Sequence, residues 1–92
     1  MIERIVLIKI KDESQVDNVI QKTKEVIAIL PGVKSFKTGK VLNNDNYNFG
    51  LSMTFDSMED VEKFSPHPKH REFVDDFLKP LMSGIVAYNV NI

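Results

Sequence analysis

The stretch IERIVLIKIK, residues 2–11, constrains this chain more than any other. Read as a strand, it carries Ile2, Val6, Ile8 and Ile10 on one face and Ile5 and Leu7 in the middle of the other, because successive side chains of an extended chain point to opposite sides. Both faces therefore need cover. The remaining segments decide what provides it.

DESQVDNVIQKTKEVIAIL supplies the first cover. Val16, Val19, Ile20, Ile27 and Leu30 recur at helical spacing, with Thr23 and Val26 continuing the stripe, so a helix is expected from Ser14 to Leu30. Ser14 is placed to cap it, Asp17 suits both the capping-box position and the positive end of the helix dipole, and Pro31-Gly32 ends it. VKSFKTGKVL alternates weakly as a second strand, LNNDN turns the chain, and YNFGLSMTF is a third strand, paired with the second as an antiparallel hairpin. On that third strand Tyr47, Phe49, Leu51, Met53 and Phe55 share one face, and the small, mildly polar Asn48, Gly50, Ser52 and Thr54 share the other.

Asp56 or Ser57 opens a short helix through MEDVEKF, SPHP breaks it, and a longer helix is expected from Pro68 to Met82 with a stripe of Phe73, Val74, Phe77, Leu78 and Leu81. Pro80 lies in the last turn and should kink or loosen it, and Gly84 leads into the final strand, IVAYNVNI. The order is β-α-β-β-α-α-β in one domain spanning residues 1–92. The simplest arrangement is an α+β, ferredoxin-like plan: a four-stranded antiparallel sheet with helices on one face. Its other face stays open and carries apolar patches, which a second copy would cover, so a homodimer joined through the open sheet face is expected.

Composition removes several classes of function. A net charge of -1 lacks the basic footprint of a nucleic-acid binder. The absence of cysteine excludes disulfides, thiolate nucleophiles and Cys-based metal sites. The opening apolar run is interrupted at Glu3, Arg4 and Lys9, too short and too charged for a signal peptide or a membrane span. A cytoplasmic protein without membrane association is the resulting expectation. There is no GxSxG elbow, no P-loop and no GxGxxG, and nothing in the sequence calls for a cofactor.

Both histidines lie in HPKHREF, residues 67–73. Pro68 suits the first turn of a helix, where its missing N–H has no partner to lose. His67 then falls near the cap. His70 lies on or beside the inward stripe. It is either a structural histidine satisfied by a nearby carbonyl or a neutral base facing a cavity between helix and sheet. A metal needs a third ligand, and HxxH supplies none at a recognised spacing. Arg4 on the first strand is a candidate for holding a carboxylate inside the fold, or is solvated or paired with a neighbouring Glu.

HPKHREFVDDFLKPLM, MIERIVLIKIKD, ILPGVKSFKTGK and YNFGLSMTFDSMEDVEKF together resemble the stress-responsive A/B-barrel (Dabb) domain family over nearly the whole chain. The resemblance implies a ferredoxin-like subunit that pairs through its sheet into a dimeric α/β barrel. Most members have no established activity. A plant branch consists of cofactor-free polyketide cyclases in which the second His of H-P-x-H is the acid/base residue, and that position is His70 here. An assisting Tyr of those cyclases is replaced by Phe64, a His early on the first strand by Arg4, and a His on the third strand aligns with Phe49. The antibiotic-biosynthesis monooxygenase type shares the topology, but HPKH and KPLM favour Dabb.

Three functional readings follow. In the first, a homodimer binds a small apolar or aromatic molecule in a pocket between helices and sheet, with Arg4, Phe49, Phe64, His67, His70, Phe73 and Phe77 as its candidate residues. In the second, a cofactor-independent cyclase, lyase or isomerase uses His70 as acid/base. In the third, the chain is a stability or assembly module with no open pocket.

Overall fold

The computed structural model describes all residues, Met1–Ile92. Four strands, β1 (Ile2–Ile10), β2 (Ser35–Lys40), β3 (Phe49–Phe55) and β4 (Met82–Asn91), form one sheet in the order β2-β3-β1-β4. Every neighbouring pair is antiparallel. The doubly apolar strand is thus internal, flanked by β3 and β4. Three helices complete the fold: α1 (Val16–Ile27), α2 (Met58–Phe64) and α3, a continuous helical run over 68–81.

Register assigns the faces. Ile2, Val6, Ile8 and Ile10 of β1 join Phe49, Met53 and Phe55 of β3 in the buried core, with Val16, Val19 and Ile27 of α1 and Val61 and Phe64 of α2. The Phe55 and Phe64 rings meet edge to face with centroids 5.3 Å apart, a favoured aromatic geometry. The opposite face carries Ile5, Leu7, Val86, Tyr88 and Val90, and no element of the chain lies over it.

The helix boundaries differ from expectation in instructive ways. Asp12, not Ser14, is the cap: its carboxylate accepts from the Ser14 backbone N–H at 3.0 Å and the Ser14 hydroxyl at 2.7 Å. A short 3-10 turn, Glu13–Gln15, then leads into α1. The helix ends at Ile27 rather than Leu30, and the chain turns through Gly32 at φ +89°, a conformation that suits a residue without Cβ. Pro80 does not break α3. The helix instead widens to π geometry over Phe73–Leu78, which removes the conflict between a proline ring and the carbonyl four residues earlier.

The third strand starts at Phe49 instead of Tyr47 because Asn48 does another job. Its side-chain oxygen accepts from the Ile10 N–H at 2.8 Å and its amide donates to the Ile10 carbonyl at 2.9 Å. The side chain of Asn48 thereby extends the β1–β3 ladder by one pairing and satisfies two backbone groups inside the core. Between Lys9 and Ile10, β1 and β4 slip in register, Lys11 donates to the Leu81 carbonyl at 2.8 Å, and β4 begins at Met82, directly from α3.

Candidate functional site

The helices do not seal the covered face completely. A cavity of about 150 Å³ remains between the sheet and the helices, with the exposed Ile85 of β4 in its lining. Its lining is largely apolar and includes Phe49, Leu51 and Met53 of β3, Phe64 of α2, Phe73 and Val74 of α3, and Ala87 of β4. The polar groups are few: Arg4, Thr23, His70 and Arg71. Thr23 is spent internally, donating to the Val19 carbonyl at 2.7 Å.

His70 reaches the cavity because Pro68 and His67 start α3 where they do. His67 caps the helix, its Nδ1 accepting from the Lys69 N–H at 3.1 Å, and Pro68 takes the first position. One turn on, the ring of His70 lies against Phe64 with centroids 4.5 Å apart. Its Nδ1 sits 2.8 Å from the Ser65 carbonyl oxygen. A carbonyl can only accept, so Nδ1 carries the proton and Nε2 of the neutral ring holds a free lone pair. Burial lowers the pKa of His70 below its ordinary value; the Ser65 bond opposes this, and the positive charges of Arg71 and Arg4 add to the lowering. The ring is therefore neutral at physiological pH. The two histidines consequently differ in tautomer: His67 leaves Nδ1 bare, and His70 leaves Nε2 bare.

Arg4 approaches from the sheet. It occupies an inward position of β1, opposite Met53 on β3 and Asn89 on β4, and its Nη1 donates to the Asn89 side-chain oxygen at 3.1 Å.

Of the residues singled out from sequence, Arg4, Phe49, Phe64, His70 and Phe73 come together around this cavity. His67 does not line it. Phe77 faces elsewhere, stacked on Phe73 at 5.6 Å and lining a surface groove with Lys22, Val26 and Ile29. Phe73 borders both spaces, and Phe77 only the groove. Sequence reasoning missed Ser65, whose contribution is a backbone carbonyl and leaves no side-chain signal. It also missed Leu51, Ile85, Ala87 and Asn89 as neighbours of Arg4 and His70. The alternation of β3 and β4 was readable, but which β4 residues share a face with Arg4 depends on register.

A four-stranded antiparallel sheet with helices on one face, a bare apolar second face and a small cavity under the helices defines a ferredoxin-like subunit of the α/β-barrel class. The chain belongs to the Stress responsive A/B Barrel Domain (Dabb) family, whose family model matches residues 2–92. It is 26% identical over 76 residues to a stress-response A/B barrel domain-containing protein of Arabidopsis thaliana, covering 77% of this chain and 68% of that relative. A dimeric ferredoxin-like protein of unknown function from Thermobifida fusca superposes with a TM-score of 0.83 at 25% identity, covering 99% of this chain and 90% of the other. The hydroxynitrile lyase of Passiflora edulis superposes with a TM-score of 0.82 at 27% identity, covering 99% of this chain and 92% of the enzyme. No helix of the chain is long and apolar enough to cross a membrane.

Proposed function

We propose that this protein is a homodimer, joined through the bare face of its sheet, that binds a small apolar or aromatic molecule in the cavity around His70. The observation that carries the reading is the cavity itself: about 150 Å³ of largely apolar space in which a neutral histidine presents an unused Nε2. A gap of this size within a core costs packing, and apolar cavities of similar volume accept a single-ring guest. The dimeric Thermobifida fusca structure supports the assembly. Native mass spectrometry with a set of single-ring aromatics is the test. Retention of a guest by a dimer supports the reading, provided that amide NMR shifts cluster at Leu51, Phe64, His70 and Ala87. Shifts confined to the outer groove at Phe77, or no retained guest, would sink it.

The protonation state of His70 favours one second reading, acid–base catalysis on the bound molecule. A ring held neutral with Nδ1 anchored to a carbonyl can take a proton at Nε2 and return it, and the similar fold of a hydroxynitrile lyase is consistent with such chemistry. Phe64 brings no hydroxyl to assist, so His70 acts without the tyrosine of the plant cyclases. Replacing His70 with Gln separates the two readings. Binding that persists while turnover of an identified substrate disappears supports catalysis, and unchanged turnover rules it out.

A further inference from the structure

Two guanidinium groups border the cavity, and their surroundings differ. Arg71 is 2.7 Å from Asp75, whose carboxylate also takes Lys79 at 3.0 Å. Arg4 has no acidic partner in any of the ion pairs of the chain. Its hydrogen-bond partner, Asn89, is neutral. Glu3, adjacent in sequence, points to the other face of β1 and accepts from the Ser52 hydroxyl at 2.8 Å.

The position makes this unusual. Ile2, Val6, Ile8 and Ile10 fill the other inward positions of β1, so Arg4 places a positive charge in an otherwise apolar row. Loss of hydration lowers its pKa from the ordinary value, as expected when a cation is withdrawn from water without a counter-charge. Asn89 meanwhile restrains the guanidinium from one side. A planar fork of N–H donors held this way matches the two oxygens of a carboxylate.

We propose that Arg4, steadied by Asn89, is an anion subsite at the β4 end of the cavity, and that the ligand is a small carboxylic acid with a single-ring body. The inference rests on the binding reading above and adds the ligand's charge. The ring lies against Leu51, Phe73 and Ala87, within a volume that suits one six-membered ring. The carboxylate meets Arg4, which lines the same cavity.

Calorimetric titration of the full chain with benzoate and phenylacetate, against benzamide, phenylacetamide and toluene, tests it. The acids should bind at least about tenfold more tightly than their amides, since an ion pair with the guanidinium replaces its hydrogen bond to a neutral carbonyl. Arg4→Gln should abolish that preference by weakening the acids far more than the amides, with circular dichroism confirming the fold. The acid–amide comparison on the unmodified protein stands whether or not the variant folds. Equal affinity for acid and amide, or a preference that survives Arg4→Gln, overturns the anion subsite and leaves the cavity reading intact. Absence of binding by acids, amides and toluene alike overturns both.

Discussion

The same four strands build both faces of this sheet, and alternate residues along each strand meet very different surroundings. On the helix-covered face Ile8, Ile10, Phe49, Met53 and Phe55 are 2% exposed or less. On the other, Tyr88 is 46% and Val90 37% exposed, with Ile5, Leu7 and Val86 only half-buried around them. Along β1 and β4 residue type does not separate the two sets, since Ile, Leu or Val stands on both faces. Cover does. The first face is closed from within the chain except at one gap, and that gap holds the arginine and the histidine. The second face is left bare by the chain, and apolar area of this kind is a usual mark of a partner surface.

That contrast can be broken from either side. The largest effect is expected in the covered core, where Phe55→Ala leaves a void beside Phe64 and should cost about 3–5 kcal/mol in denaturant unfolding. Asn48→Ala comes next. It strands the N–H and C=O of Ile10 inside the core and should cost about 2–4 kcal/mol, two unsatisfied groups at roughly 1–2 each; a loss under about 1 kcal/mol would mean that water replaces the side chain. Tyr88→Glu on the bare face should leave the subunit's circular dichroism unchanged and shift sedimentation at micromolar concentration from dimer to monomer. An unmodified protein that already sediments as a monomer would remove the role assigned to that face.

The smallest effect concerns pH. Burial holds the pKa of His70 below its ordinary 6.5, so between those two values the unfolded chain binds more protons than the folded one. Stability from this source is complete above about pH 6.5 and declines as the pH falls through the interval. His70→Gln should flatten the stability profile between about pH 7 and 5, and an unchanged slope would place the titration elsewhere.

Much of this architecture was legible beforehand because it is periodic. The α1 stripe of Val16, Val19, Thr23 and Ile27 is buried as its spacing implied, and the alternation of β3 places Phe49, Met53 and Phe55 together in the core. The family signature carried the fold. What escaped was non-local or carried by the backbone. Asn48 looks like a turn residue until Ile10 is brought beside it. Asp12 outcompetes Ser14 as a cap because its carboxylate can accept from the serine's amide and hydroxyl together. His70 was singled out for its place on the helix stripe, yet its useful tautomer depends on the Ser65 carbonyl. Phe77 follows the same stripe, yet it lines the outer groove and not the cavity.

The central claim is that the gap in the covered face, with His70 neutral at its edge, is where this protein binds. It is tested most directly by a long-range proton–nitrogen NMR spectrum of the two histidines at pH 7 during titration with benzoate. Expected are opposite tautomers, with the proton on Nδ1 of His70 and on Nε2 of His67, and a His70 Nε2 resonance that moves with added ligand while His67 stays still. A charged His70, the same tautomer for both rings, or a His70 resonance indifferent to the ligand would contradict it.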